Sequence, residues 1–135
     1  MAYNIEDIEG IGPSYAEKLR HADISTVEQL LDKCATPAGR KKVAEATGIS
    51  PKLILTWTNH ADLMRIKGIA GQFAELLEAA GVDTVVELAH RNAGKLKEAL
   101  DATNEQRKLC GRVPSESEIE RMIVQAEALP RVVTY

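Results

Sequence analysis

The stretch IEDIEGIGPSYAEKLRHADI, residues 5–24, sets two glycines around one isoleucine and follows them at once with a proline. Pro13 suits the first turn of a helix, where its missing N–H leaves no bond unmade. Tyr15, Ala16 and Leu19 then fall on one face at helical spacing. The Gly-Ile-Gly step before them reads either as a tight turn between two helices or as a nest of backbone N–H groups aimed at a phosphate. The segment therefore predicts a helical hairpin with an exposed turn.

The same pattern returns further along the chain. With Gly10 placed on Gly68, an offset of 58, GIGPSYAEKLRHADISTVEQL lies over GIAGQFAELLEAAGVDTVVEL. Ile11 meets Ile69, Tyr15 meets Phe73, Ala16 meets Ala74, Leu19 meets Leu77, and Leu30 meets Leu88. A weaker match continues as AGRKKVAEAT over AGKLKEALDA. Self-similarity at this spacing marks a duplicated unit of about 60 residues, and predicts units over 1–66 and 67–135, the second with a last helix and a short tail.

Helix punctuation supports an all-α reading. Ser25 with Glu28, Thr84 with Glu87 and Ser115 with Glu118 each fit a capping box. TPAGRKK and SPKLILTW each put a hydroxyl before a proline, marking two further helix starts. Gly48, Gly81 and Gly111 stand where helices are expected to end. A final helix is expected from about Ser115 to Leu129, stopped by Pro130. Leu53, Ile54, Trp57 and Ala61 form an apolar stripe, matched by Ile119, Met122, Ile123 and Ala126. Trp57 on that stripe reads as a core anchor, the alternative being a platform on which a base stacks.

Composition narrows the function classes. The chain is 44% apolar but only 4% aromatic, so its core is expected to be mostly Leu, Ile, Val and Ala. No apolar run approaches the roughly 20 residues of a membrane span, and no secretory leader pattern opens the sequence, which predicts a cytoplasmic protein. Cys34 and Cys110 are too few for a disulfide framework and read as reduced, buried thiols. His21, His60 and His90 lack the paired spacing of a zinc site, so no metal and no cofactor is expected. No phosphate-loop lysine motif or nucleophile elbow is present, which argues against an enzyme.

IEGIGPSYAEKL resembles the helix-hairpin-helix motif, with Ile8, Gly10, Ile11, Gly12, Ala16 and Leu19 at its pattern positions. The resemblance implies that Ile11 plugs into the helix packing and that amides of the turn contact phosphates of one DNA strand. It also implies that two such units pack as a pseudo-twofold pair. The chain as a whole, including its closing RVPSESEIERMIVQAEALPRVVTY, resembles an uncharacterised bacterial family, a domain of unknown function, of tandem hairpin units. The fold expectation is two tandem hairpin-containing repeats packed as one compact helical domain.

Carried onto this sequence, the motif implies backbone contact at Gly10 and Gly12, with Ser14 and Lys18 as side-chain donors. Gly68 and Gly71 are the matching glycines of the second unit. That unit departs from the pattern: Ala70 stands at the second glycine's place and Leu76 at that of Lys18. The second hairpin therefore reads as structural, and Gly12 is expected to hold a backbone conformation closed to other residues.

Charge runs in blocks. The net charge is −3, but residues 1–35 carry −4, 36–67 carry +4, 68–90 carry −4, 91–113 carry +3 and 114–135 carry −2. Arg40, Lys41 and Lys42 in the second block are candidates to approach a nucleic-acid backbone. The expected function is a non-catalytic binding module making sequence-independent contact to duplex phosphates. The alternative is a protein-interaction or self-association module that sets acidic blocks against basic ones. No membrane and no small-molecule substrate is expected.

Overall fold

The computed structural model describes residues 3–135; Met1 and Ala2, the start of the expected 1–66 unit, lie outside the described residues. Those residues form a 3₁₀ turn at Ile5–Asp7 and eight α-helices, with no strand; an isolated antiparallel bridge joins Asn4 to Thr26. The helices are α1 (Pro13–His21), α2 (Val27–Cys34), α3 (Pro37–Thr47), α4 (Pro51–Leu63), α5 (Gly71–Ala79), α6 (Val85–Ala89), α7 (Ala93–Arg107) and α8 (Glu116–Ala128). The chain divides into two compact units, Met1–Asp62 with Val132–Tyr135, and Leu63–Arg131.

In the first unit α3 packs on α1 and α2, and the 3₁₀ turn packs on the same two helices. Ile5, Ile8, Leu19, Ile24, Leu30 and Ile54 are among its fully buried side chains. Trp57 is 2% exposed and meets the half-buried Tyr15 ring edge to face at 5.0 Å, so it is an anchor of the core. In the second unit α8 packs on α6 and α7, and α5 packs on α7. Ile66, Ile69, Leu76, Leu77 and Leu88 are fully buried there, and the α8 stripe of Ile119, Met122, Ile123 and Ala126 faces inward. Each such Leu or Ile contributes about 1.5–3 kcal/mol by leaving water, which is how a chain poor in aromatics assembles two cores.

Side-chain caps start most of these helices. Thr36 Oγ1 accepts from Gly39 N, with Pro37 following as the first residue of α3. Ser115 and Glu118 form the reciprocal box of α8, whose span matches the sequence expectation. Thr84 accepts from Glu87 N at the start of α6. The expected box of Ser25 and Glu28 is displaced by one residue: Thr26 and Gln29 form it, because the Ser25 carbonyl accepts from Ile5 N and Glu28 accepts from Tyr3 N. Gly48 closes α3 in the left-handed conformation, as expected. Gly111 does not close α7; that end is Lys108, at φ 52, and its N–H returns to Asn104 O.

Gly39 has a separate reason to be glycine. A β-carbon there would lie 2.1 Å from the Lys33 carbonyl oxygen, so the first turn of α3 abuts the last turn of α2 with no room for a side chain.

Candidate nucleic-acid interface

The first hairpin is built by a short chain of backbone bonds. Ile8 N donates to Ile5 O, Ile11 N to Ile8 O at 3.2 Å, and Ala16 N to Gly12 O at 2.9 Å. Ile11 is 5% exposed, so the residue between the glycines packs inward while Gly10, Gly12, Pro13 and Ser14 stay exposed. After α1 the chain turns through Asp23, at φ 64, and Ile24 N donates back to Leu19 O.

The backbone bonds of this turn recur 58 residues on. Ile66 N donates to Leu63 O, Ile69 N to Ile66 O, Ala74 N to Ala70 O, and Val82 N to Leu77 O, all at 2.8–3.1 Å. Gly68 sits at φ 98 against Gly10 at φ 93, and Gly81 at φ 96 against Asp23.

The two glycines of the first turn do different work from that expected. Gly12 is extended, at φ −86 and ψ −177, and a β-carbon there would meet nothing within 4 Å. The left-handed residue is Gly10. Ala70, the counterpart of Gly12, is likewise extended at φ −110, so alanine costs the second turn nothing. The second turn thus matches the first at both positions.

The two helix starts also share the lack of a side-chain cap. The N-cap positions of α1 and α5 are Gly12 and Ala70, neither with a side-chain cap bond, whereas α2, α3, α6, α7 and α8 are capped by Thr26, Thr36, Thr84, Asn92 and Ser115. First-turn amides have no acceptor within their own helix. Those of Ser14 and Tyr15 in α1, and of Gly71, Gln72 and Phe73 in α5, thus stand at the positive ends of two helix dipoles.

Charge differs between the turns. Asp7 and Glu9 precede Gly10, whereas Arg65 and Lys67 stand at the matching places before Gly68. Within the first hairpin two acidic groups are engaged locally: Glu6 pairs with Arg20, and the Asp7 carboxylate accepts from Asn4 N at 2.9 Å. Lys67 is exposed beside the second turn, while the Arg65 guanidinium donates to Pro130 O. The block count over 36–67 had separated these two cations from the hairpin they precede; the offset of 58 is the signal that joins them to it.

The remaining candidates scatter. Ser14 is exposed, and Lys18 is exposed with its ammonium 5.8 Å from the Tyr15 ring centroid. Leu76, at the place of Lys18 in the second unit, is fully buried, and Gly71 is buried as well. Lys41 and Lys42 are exposed on α3. Arg40 is 7% exposed, and its guanidinium donates to Cys34 O, Ala35 O and Thr134 O, so it faces away from solvent and holds chain to chain.

Among the described residues no three of His, Cys, Asp and Glu gather where they would hold a metal ion, and no helix is long and apolar enough to cross a membrane. Cys34 is buried, its thiol pushed up to about 11 mainly by desolvation, while Cys110 is only half-buried. The chain belongs to the family described as Domain of unknown function (DUF4332), whose model matches residues 9–129. Comparison with curated proteins and with solved structures gave no match.

Proposed function

We propose that the chain is a duplicated helix-hairpin-helix module that grips the phosphate backbone of nucleic acid without reading its sequence. The observation that carries this reading is the pair of exposed turns whose following helices, α1 and α5, start without a side-chain cap. Backbone N–H groups at a helix start, with the dipole's positive end behind them, donate to a phosphate. In the first turn Ser14 and Lys18 add a hydroxyl and a cation; in the second, Lys67 adds the cation from the other side of the glycine. Lys41 and Lys42 add exposed positive charge on α3, and Arg40 is left out because its donors are spent on carbonyls. Gly10 and Gly68 shape the turns, and Gly12 and Gly71 flank the amides that bind.

Self-association between acidic and basic blocks is the weaker reading. Glu6 pairs with Arg20, Glu87 with Arg91, Asp101 with Lys97 and Glu118 with Arg112, each within its own unit. Opposite charges satisfied locally leave less to drive assembly.

The test is a titration of a labelled duplex at low and physiological salt. Binding is expected to be indifferent to sequence and to fall steeply with salt, because phosphate contacts release counterions. Lys18→Glu and Lys67→Glu should each weaken it on every duplex alike. Absence of binding to any duplex at low salt would reject the function and leave the fold untouched.

A further inference from the structure

The first unit is not one run of chain: it takes Val132–Tyr135 from beyond the second unit. Thr134 N donates to Ala35 O at 2.8 Å, and the Thr134 hydroxyl donates to the same carbonyl at 3.4 Å. Thr134 O accepts from Arg40 Nη2 at 2.8 Å. Val133 is 3% exposed, whereas Tyr135 is 62% exposed and is held by its hydroxyl, which donates to Asn59 Oδ1 at 3.0 Å. Without this segment Arg40 keeps its bonds to Cys34 O and Ala35 O but loses the acceptor of Nη2. A buried cation left short of a partner is costly. The first unit therefore depends on residues reached only after the second has been traversed.

The tether of this segment changes with the state of the second unit. The chain leaves the first unit after Asp62, in the last turn of α4, and returns to it at Val132. Inside the second unit the two ends of the excursion are tied, because Arg65 Nη2 donates to Pro130 O at 2.9 Å. A folded second unit thus presents Val132–Tyr135 from a fixed point. An unfolded one turns all of Leu63–Arg131 into a flexible loop, and the local concentration of the segment falls as the loop lengthens.

We propose that Val132–Tyr135 is a strap through which folding of the second unit stabilises the first. The coupling is carried by the chain itself. With the second unit folded the tether is short, the strap seats, and the ends it grips on α2, α3 and α4 are held together. Unseating the strap uncouples the units, so that the first opens alone while the second stays folded.

The test uses the full chain in urea. Its one tryptophan, Trp57, is buried in the first unit, so fluorescence follows that unit while far-ultraviolet circular dichroism follows the helices of both. The wild type is expected to give coincident transitions by the two probes. Val133→Asp puts a charge where an apolar side chain is buried and so unseats the strap. Its fluorescence midpoint should come at least about 0.5 M urea before its circular-dichroism midpoint. Leu88→Ala, a core change in the second unit, should lower the fluorescence midpoint of the wild type and leave that of Val133→Asp unmoved. Separate transitions in the wild type, coincident ones in Val133→Asp, or an equal effect of Leu88→Ala in both backgrounds overturns the proposal. Should Val133→Asp lose all helical signal in water, Thr134→Pro, which removes the two bonds to Ala35 O and buries no charge, takes its place under the same outcomes.

Discussion

At the scale of single residues, a left-handed backbone and an open surface make opposite demands on the two glycines of the first turn. Gly10 sits at φ 93, a left-handed backbone that strains any residue carrying a β-carbon, and Gly12 is extended with free space around it. Gly10→Ala should therefore destabilise by about 1–2 kcal/mol, whereas Gly12→Ala should change stability by no more than about 0.5 kcal/mol, the range of a surface substitution. Urea unfolding of the two variants checks the contrast. The turn itself was legible from Gly-Ile-Gly-Pro, and so was the inward packing of Ile11. Which glycine turns left-handed was not legible, because both fit the motif and only the bond from Ile11 N to Ile8 O decides it. Arg40 was misread as a surface cation for a related reason: its partner Thr134 is 94 residues away, and no local pattern announces so distant an acceptor.

Elements obey shorter rules, and the sequence carried most of them. Capping residues and prolines act within one turn of chain, so the starts of α3 and α8 and the left-handed end of α3 could be read directly. The start of α2 slipped by one residue because the Asn4–Thr26 bridge, a contact across the sequence, claimed the neighbouring groups. Two predictions belong here. Gly39 and Gly94 occupy matching places early in α3 and α7, yet a β-carbon at Gly39 meets the Lys33 carbonyl at 2.1 Å, while one at Gly94 meets first the Glu116 carboxylate at 3.3 Å. Gly39→Ala should cost about 1–3 kcal/mol by overpacking. Gly94→Ala should be neutral or stabilise by up to about 1 kcal/mol, since a flexible side chain can give way and alanine favours the helix; thermal melts of both decide. The second concerns the cap of α8. A hydrogen bond from Arg112, supported by those from Ser115, pulls the Glu118 carboxyl from 4.5 down to about 2. A carboxyl with a folded value below its unfolded one stabilises above the unfolded value and loses that contribution as pH falls toward the folded one. The unfolding midpoint should thus drop between pH 4.5 and about 2 by more in the wild type than in Glu118→Gln; equal slopes would deny the cap that role.

For the whole molecule, the proposed binding uses two hairpins of one backbone design rather than one intact hairpin and one degraded copy. The sequence disclosed the offset of 58, but residue identity at Ala70 and Leu76 suggested decay, since the backbone conformation that makes Ala70 harmless is not written in any single residue. The most direct measurement is a titration of the isotope-labelled protein with a short duplex at low salt, following backbone amide shifts by NMR. The largest changes are expected at two places together, the Ser14 and Tyr15 amides and the Gln72 and Phe73 amides, and should fade as salt rises. Changes confined to Lys41 and Lys42, or to the first turn alone, would contradict the proposed binding.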